Sequence, residues 1–232
     1  RHLRQLEQFT GVTLTEVVQR PIVREGSDST NGTVCHREFL LRGTCHQFAF
    51  VVRFYVRESD LSIDQLHVEL SPELSRPLQP AIKQCLVDHD LMGLFRVMTR
   101  FGRLYQEREQ TFQQIHKQYR LAPELSGAKH PQGRARISSG EASGAVRRIS
   151  DSVLTIGTQG LTLQLTWLLH VSPDYTTHAS ITLYPQASSE WTKKDANHVL
   201  DQLPIYFATL LQTMEPFAAL QRTLANLCPA TL

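Results

Sequence analysis

The stretch that most constrains the fold is residues 90–120, DLMGLFRVMTRFGRLYQEREQTFQQIHKQYR, in which Leu91, Leu94 or Phe95, Met98, Phe101, Tyr105, Phe112, Ile115 and Tyr119 recur at helical spacing. That spacing lines side chains along one face of an α-helix. No proline interrupts it, and a rod of this length, rising 1.5 Å per residue, spans about 45 Å, more than one small domain needs. Its first half is apolar and its second is dominated by Gln, Glu, Arg and Lys. We therefore expect it to close one domain, residues 1–101, and to open another, residues 102–232, with Gly102 as the joint or as a tolerated weak point.

The flanking sequence supplies the sheets. Leucines at 3 and 6 read as the last turns of a helix, which Gly11 would stop. Residues 12–23 read as a first strand, and residues 26–32 as a polar loop. Further strands are expected on both sides of Gly43, the second over residues 45–57, where Phe48, Phe50, Val52, Phe54 and Val56 alternate with their neighbours at period two. Residues 62–70 supply a fourth, with Leu66, Val68 and Leu70 on one face. Pro72, Pro77 and Pro80 predict an extended turn before a helix at 81–88. Beyond the long helix, residues 122–150 are rich in glycine and proline and predict a flexible loop with one irregular strand. Strands follow at 152–157, 161–171 and 179–184, the last ended by Pro185, and Trp167 is expected to anchor their core. Closing helices occupy 193–227, divided near Glu215-Pro216. Helix, meander, helices therefore occurs twice, an α+β organisation in which each antiparallel meander is packed by helices.

Composition narrows the function. A net charge of +2 over 232 residues argues against a binder of nucleic acid that works by bulk electrostatics. Four cysteines and no signal peptide point to a reducing compartment, so the Asn31-Gly32-Thr33 acceptor pattern is expected to be idle. The apolar runs are too short to cross a membrane, which takes about 20 residues. A start at Arg1 rather than methionine leads us to expect a longer protein.

Few residues invite chemistry. Cys35-His36 and Cys45-His46 have the ligand types of a zinc site, but neighbours on a strand point to opposite faces, so we expect no metal. No phosphate loop, nucleophile elbow or paired-histidine helix occurs, and neither a catalytic residue nor a cofactor is expected. The clearest charge imbalance is Lys129, Arg134, Arg136, Arg147 and Arg148 with Glu141 as the lone acid among them. These five either form a solvated loop or contact DNA or an acidic partner, weakly and without base specificity. Arg147-Arg148-Ile149-Ser150 also matches a basophilic kinase site. On the polar half of the long helix, Tyr105, Phe112, Ile115 and Tyr119 leave a narrow apolar seam, suited to the second sheet or to a partner.

The ordered segments Phe9-Thr10-Gly11-Val12, residues 41–48, Leu94-Phe95-Arg96, residues 108–112 with Tyr119, residues 161–170 and residues 219–228 resemble the centromere protein P family, tandem-RWD proteins of the inner kinetochore. The resemblance covers nearly the whole chain and lacks the coiled coil that the family carries upstream. The tyrosine-proline turn of RWD domains is echoed only at Tyr184-Pro185 and around Leu70-Ser71-Pro72. What the resemblance implies is two RWD-like domains and a non-catalytic subunit of the constitutive centromere-associated network in the nucleus. Its implied partners are centromere protein O, in a heterodimer, and centromere proteins Q, U and R. RWD domains are related to ubiquitin-conjugating enzymes, so the alternative implied is an enzyme of that kind or an inactive adaptor. Its candidate cysteines, Cys85 and Cys228, sit among apolar residues and read as packing.

Overall fold

The structure, a computed structural model, describes residues 10–24, 34–119, 146–150, 152–158, 161–195 and 198–227. It is α+β, with two four-stranded sheets whose strands follow chain order. The chain divides into two compact units, Arg1–Gln106 with Leu169–Ala179, and Glu107–Leu168 with Ser180–Leu232.

In the first unit β1 (Val12–Arg24), β2 (Val34–Cys45), β3 (Phe48–Arg57) and β4 (Ile63–Leu70) form an antiparallel meander. The period-two pattern of β3 puts Phe48, Phe50, Val52 and Phe54 into the core, and Leu66 of β4 joins them. Gly43 does not separate two strands. It lies inside β2, and a Cβ there would run into the Thr13 carbonyl oxygen of β1, so the glycine permits close strand approach rather than a turn. The turn is at His46-Gln47, with His46 at φ 53°.

Two helices cover the β3–β4 side of this sheet. The first, α1 (Pro72–Asp88), begins at Pro72 and runs through Pro77 and Pro80, where the sequence had predicted an extended turn. An interior proline costs about 3 kcal/mol in a helix. Here Leu74, Leu78, Ala81 and Cys85, one helical stripe, are all fully buried, and that burial holds the helix together through its prolines. The Asp90 carboxylate then accepts from the Gly93 amide at 2.7 Å and starts α2 (Leu91–Tyr119), 29 residues without a break.

Gly102 lies inside α2 and is buried. A Cβ on it would sit 2.5 Å from Cδ2 of His46, and one on Gly11, at φ +66°, would sit 2.6 Å from the same ring. His46 thus fits between two glycines, with its amide donating to the Gly11 carbonyl at 2.6 Å and Nδ1 3.1 Å from Oε1 of Gln106. Gly102→Ala is expected to destabilise the protein by about 1–3 kcal/mol through overpacking. In a His46→Ala background the same change should stabilise, because only the helix-propensity gain of about 1 kcal/mol remains. A double-mutant cycle by urea denaturation checks the change of sign.

The first unit also takes in part of the later chain. Leu169, Val171 and Tyr175 pack against its core, and the Tyr175 hydroxyl donates to the Asp88 carboxylate at 3.2 Å.

The second unit contains β5 (Val146–Ser150), β6 (Val153–Thr158), β7 (Leu161–Val171) and β8 (Thr177–Ala187), and the unit boundary falls inside β7 and β8. Leu161, Leu163, Leu165 and Trp167 of β7 are buried with Leu154 and Ile156 of β6 and Leu183 of β8. Pro185 does not end β8 as expected. The strand is an edge, where the missing amide donor is tolerated, and it continues to Ala187.

Three closing helices follow where two had been read, α3 (Ser189–Lys194), α4 (Val199–Leu210) and α5 (Pro216–Leu227). The Asp195 carboxylate accepts from the amides of Val199 at 2.8 Å and Leu200 at 3.0 Å, which starts α4 and holds its own titration below the usual range. Pro216 opens α5 in the helix position that suits proline. The expected helix before Gly11, the loop at 26–32 and most of 122–150 lie outside the described residues.

Candidate interaction surfaces

The four residues of the apolar seam fall to two cores. Tyr105 is half-buried in the first unit, edge-on to Phe48 with ring centroids 4.9 Å apart. Phe112 and Ile115 are buried in the second unit, and Phe112 meets Trp167 edge-on at 6.2 Å. Tyr119 stays half-buried, and desolvation pushes its phenol above the ordinary value. Tyr105 and Tyr119 therefore keep part of their surface, whereas Phe112 and Ile115 are covered by the chain itself.

Of the five basic positions, Arg147 and Arg148 fall on β5, in register with Thr155 and Leu154 of β6. Lys129, Arg134 and Arg136 lie outside the described residues. Ser150 pairs with Val153 across the same strands.

The cysteine-histidine pairs do not converge. Cys35 and Cys45 sit at opposite ends of β2, about 33 Å apart at the rise of an extended strand. The imidazole of His36 instead reaches the Asp64 carboxylate at 2.5 Å, which also accepts from Arg57 at 2.7 Å. No group of three or more His, Cys, Asp or Glu side chains is arranged to hold a metal ion among the described residues.

Of the two candidate thiols for a conjugating enzyme, Cys228 lies outside the described residues, and Cys85 is not placed for attack. Cys85 and Cys45 are fully buried. Desolvation pushes Cys45 up to about 11 and also raises Cys85. Both remain protonated at neutral pH and make weak nucleophiles. Iodoacetamide at pH 8 is expected to alkylate the exposed Cys35 in the native protein and to spare Cys45 and Cys85 until urea unfolds it. Peptide mass mapping reads the difference.

The sequence reading missed the character of the open sheet faces. Away from its helices the first sheet carries ion pairs, Arg42 with Glu16 at 3.1 Å and Arg53 with Glu38 at 3.6 Å, while the Tyr55 hydroxyl donates to Glu38 at 3.2 Å. Such exposed pairs add little stability and keep the face wet. On the helix side of the same sheet, Leu14 and Val17 of β1 remain 41% and 59% exposed, because the helices stop short of that edge.

The outer face of the second sheet is mixed, with Leu168 and Tyr184 exposed beside a Gln186–Gln164 amide contact at 3.3 Å. Inside that unit Arg108 is 4% exposed, with its guanidinium 3.4 Å from the Ser152 hydroxyl and 3.6 Å from the Glu109 carboxylate. A cationic residue among charged neighbours on a helix gives no sequence signal of burial. The arrangement offers surfaces for recognition: a wet ion-paired face, an uncovered apolar strand edge and a mixed face on the second sheet.

No family model matches the chain. Comparison with curated proteins finds human centromere protein P, 22% identical over 233 aligned positions that take in 98% of this chain and 70% of the human protein. Along nearly its whole length, then, this chain is distantly similar to centromere protein P of Homo sapiens.

Proposed function

We propose that this protein is a non-catalytic structural subunit of the inner kinetochore. It forms a heterodimer with centromere protein O and holds centromere proteins Q, U and R at centromeric chromatin in the nucleus. The observation that carries the reading is the similarity to human centromere protein P, which runs through 98% of the chain rather than through one motif.

The architecture supports it. Each four-stranded antiparallel sheet is followed by helices, the order a tandem pair of RWD domains requires, and α2 runs between the two blocks. The domains follow the sequence pattern, residues 1–101 and 102–232, except that residues 102–106 and 169–179 belong to the first compact unit. Affinity for the partner comes from apolar anchors on an otherwise polar surface. Leu14 and Val17 on the uncovered edge of the first sheet, and Leu168 with Tyr184 on the second, are such anchors. Tyr105 and Tyr119 contribute their exposed parts, and the basic residues 129–148 add a weak contact to DNA.

A fluorescent fusion of the chain, expressed in cells of its own species, is expected to concentrate at centromeres and to lose that localisation when centromere protein O is depleted. A diffuse signal in unperturbed cells contradicts the proposal.

A further inference from the structure

The first half of α2 carries three arginines, Arg96, Arg100 and Arg103, and no acid from Leu91 to Gln106. Spaced four and three residues apart, they share one helix face, and all three are exposed. None of them makes a side-chain hydrogen bond or ion pair among the described residues. Arg100 sits one turn from a like charge on each side, an arrangement that weakens a helix. The core of the first unit does not need it, because Leu94, Val97, Met98 and Phe101 on the other face are buried. Among the described residues no side chain answers this charge, which leaves it available to a partner.

We propose that Arg96, Arg100 and Arg103 bind the phosphodiester backbone of duplex DNA. A protein partner needs an apolar centre to its interface, and beside the three arginines the one large apolar side chain of α2 that stands well exposed is Met92, at 71%, while Tyr105 is half-buried against Phe48. Phosphates need none, and guanidinium groups grip them through paired N–H donors. The stripe spans about 10 Å along the helix, close to the axial rise across four successive phosphates of one strand, three steps of about 3.4 Å. Among the described residues no largely exposed aromatic stands beside it to stack unpaired bases, which favours a duplex over a single strand. The contact is independent of sequence. It is also independent of the kinetochore reading and distinct from the basic residues 129–148, since it belongs to a different element.

The test is fluorescence anisotropy with the full chain and a fluorescein-labelled 30-base-pair duplex of mixed sequence, over 50–200 mM KCl. The wild-type chain should bind, and R96E/R100E/R103E should lose at least tenfold in affinity at 50 mM. Three lost phosphate contacts should also flatten the log–log salt slope by about 2.7 units, so that the wild type weakens about 40-fold more than the variant over that range. A variant with Lys129, Arg134, Arg136, Arg147 and Arg148 changed to glutamate should keep the part of the slope that the α2 variant loses. All three substitutions lie on the exposed face, and an unchanged thermal midpoint verifies that the variant is folded. The proposal is overturned if the wild-type chain does not bind the duplex, or if the α2 variant binds like wild type. It is equally overturned if a polyglutamate peptide binds the stripe in preference to DNA.

Discussion

Trp167→Ala is expected to cost about 3–5 kcal/mol, the range for deleting a large buried aromatic from a core. Trp167 is 1% exposed at the centre of the second unit, and its ring meets Phe112 edge-on, so truncation leaves a cavity and also loses an aromatic pair. Against a total stability of about 5–15 kcal/mol for an ordinary domain, that loss brings the second unit close to unfolding at room temperature. The conservative change is informative too. The indole N–H of Trp167 is buried and meets no acceptor among the described residues, so Trp167→Phe removes volume without breaking a hydrogen bond and should cost much less. Hydrogen exchange should show protection lost from β6, β7 and α4 in the alanine variant and kept in β2 to β4.

Phe50→Ala should mirror this in the first unit, again at about 3–5 kcal/mol. Phe50 is 2% exposed, packs edge-on against Phe95 of α2 at 5.6 Å, and fills the space beside Gly43 that a side chain there would otherwise occupy. Its loss should expose the amides of β2 to β4 and of α1 while β6 and β7 stay protected. Together the two variants ask whether the units unfold separately, as two domains should. Loss of protection throughout the chain in both variants would mean a single cooperative body.

The long helix and the two meanders were legible because their hydrophobic periods are unbroken, from Leu91 to Tyr119 and from Phe48 to Phe54. Proline misled where burial overrode it. Leu74, Leu78, Ala81 and Cys85 form a clear stripe, but three prolines in the same segment argue locally for a turn, and only the packed sheet decides between them. Gly43 misled for a related reason, since a glycine needed for close strand approach looks in sequence like one needed for a turn. Pro185 could be placed correctly only after β8 was known to be an edge.

Of the candidate surfaces, the sequence showed which residues are apolar or basic but not which are covered. Phe112 and Ile115 belong to a core, and the exposure of Leu14, Val17, Leu168 and Tyr184 depends on where the helices end. The packing of Tyr175 with the first unit joins positions far apart in the chain, and no local pattern announces it.

The proposed pairing with centromere protein O is decided by sedimentation velocity of the purified chain, alone and mixed with centromere protein O of the same species. A single faster boundary with the mass of a one-to-one complex, persisting on dilution to nanomolar concentrations, is the predicted result. Two boundaries at the positions of the separate chains, each stable and folded, would contradict it.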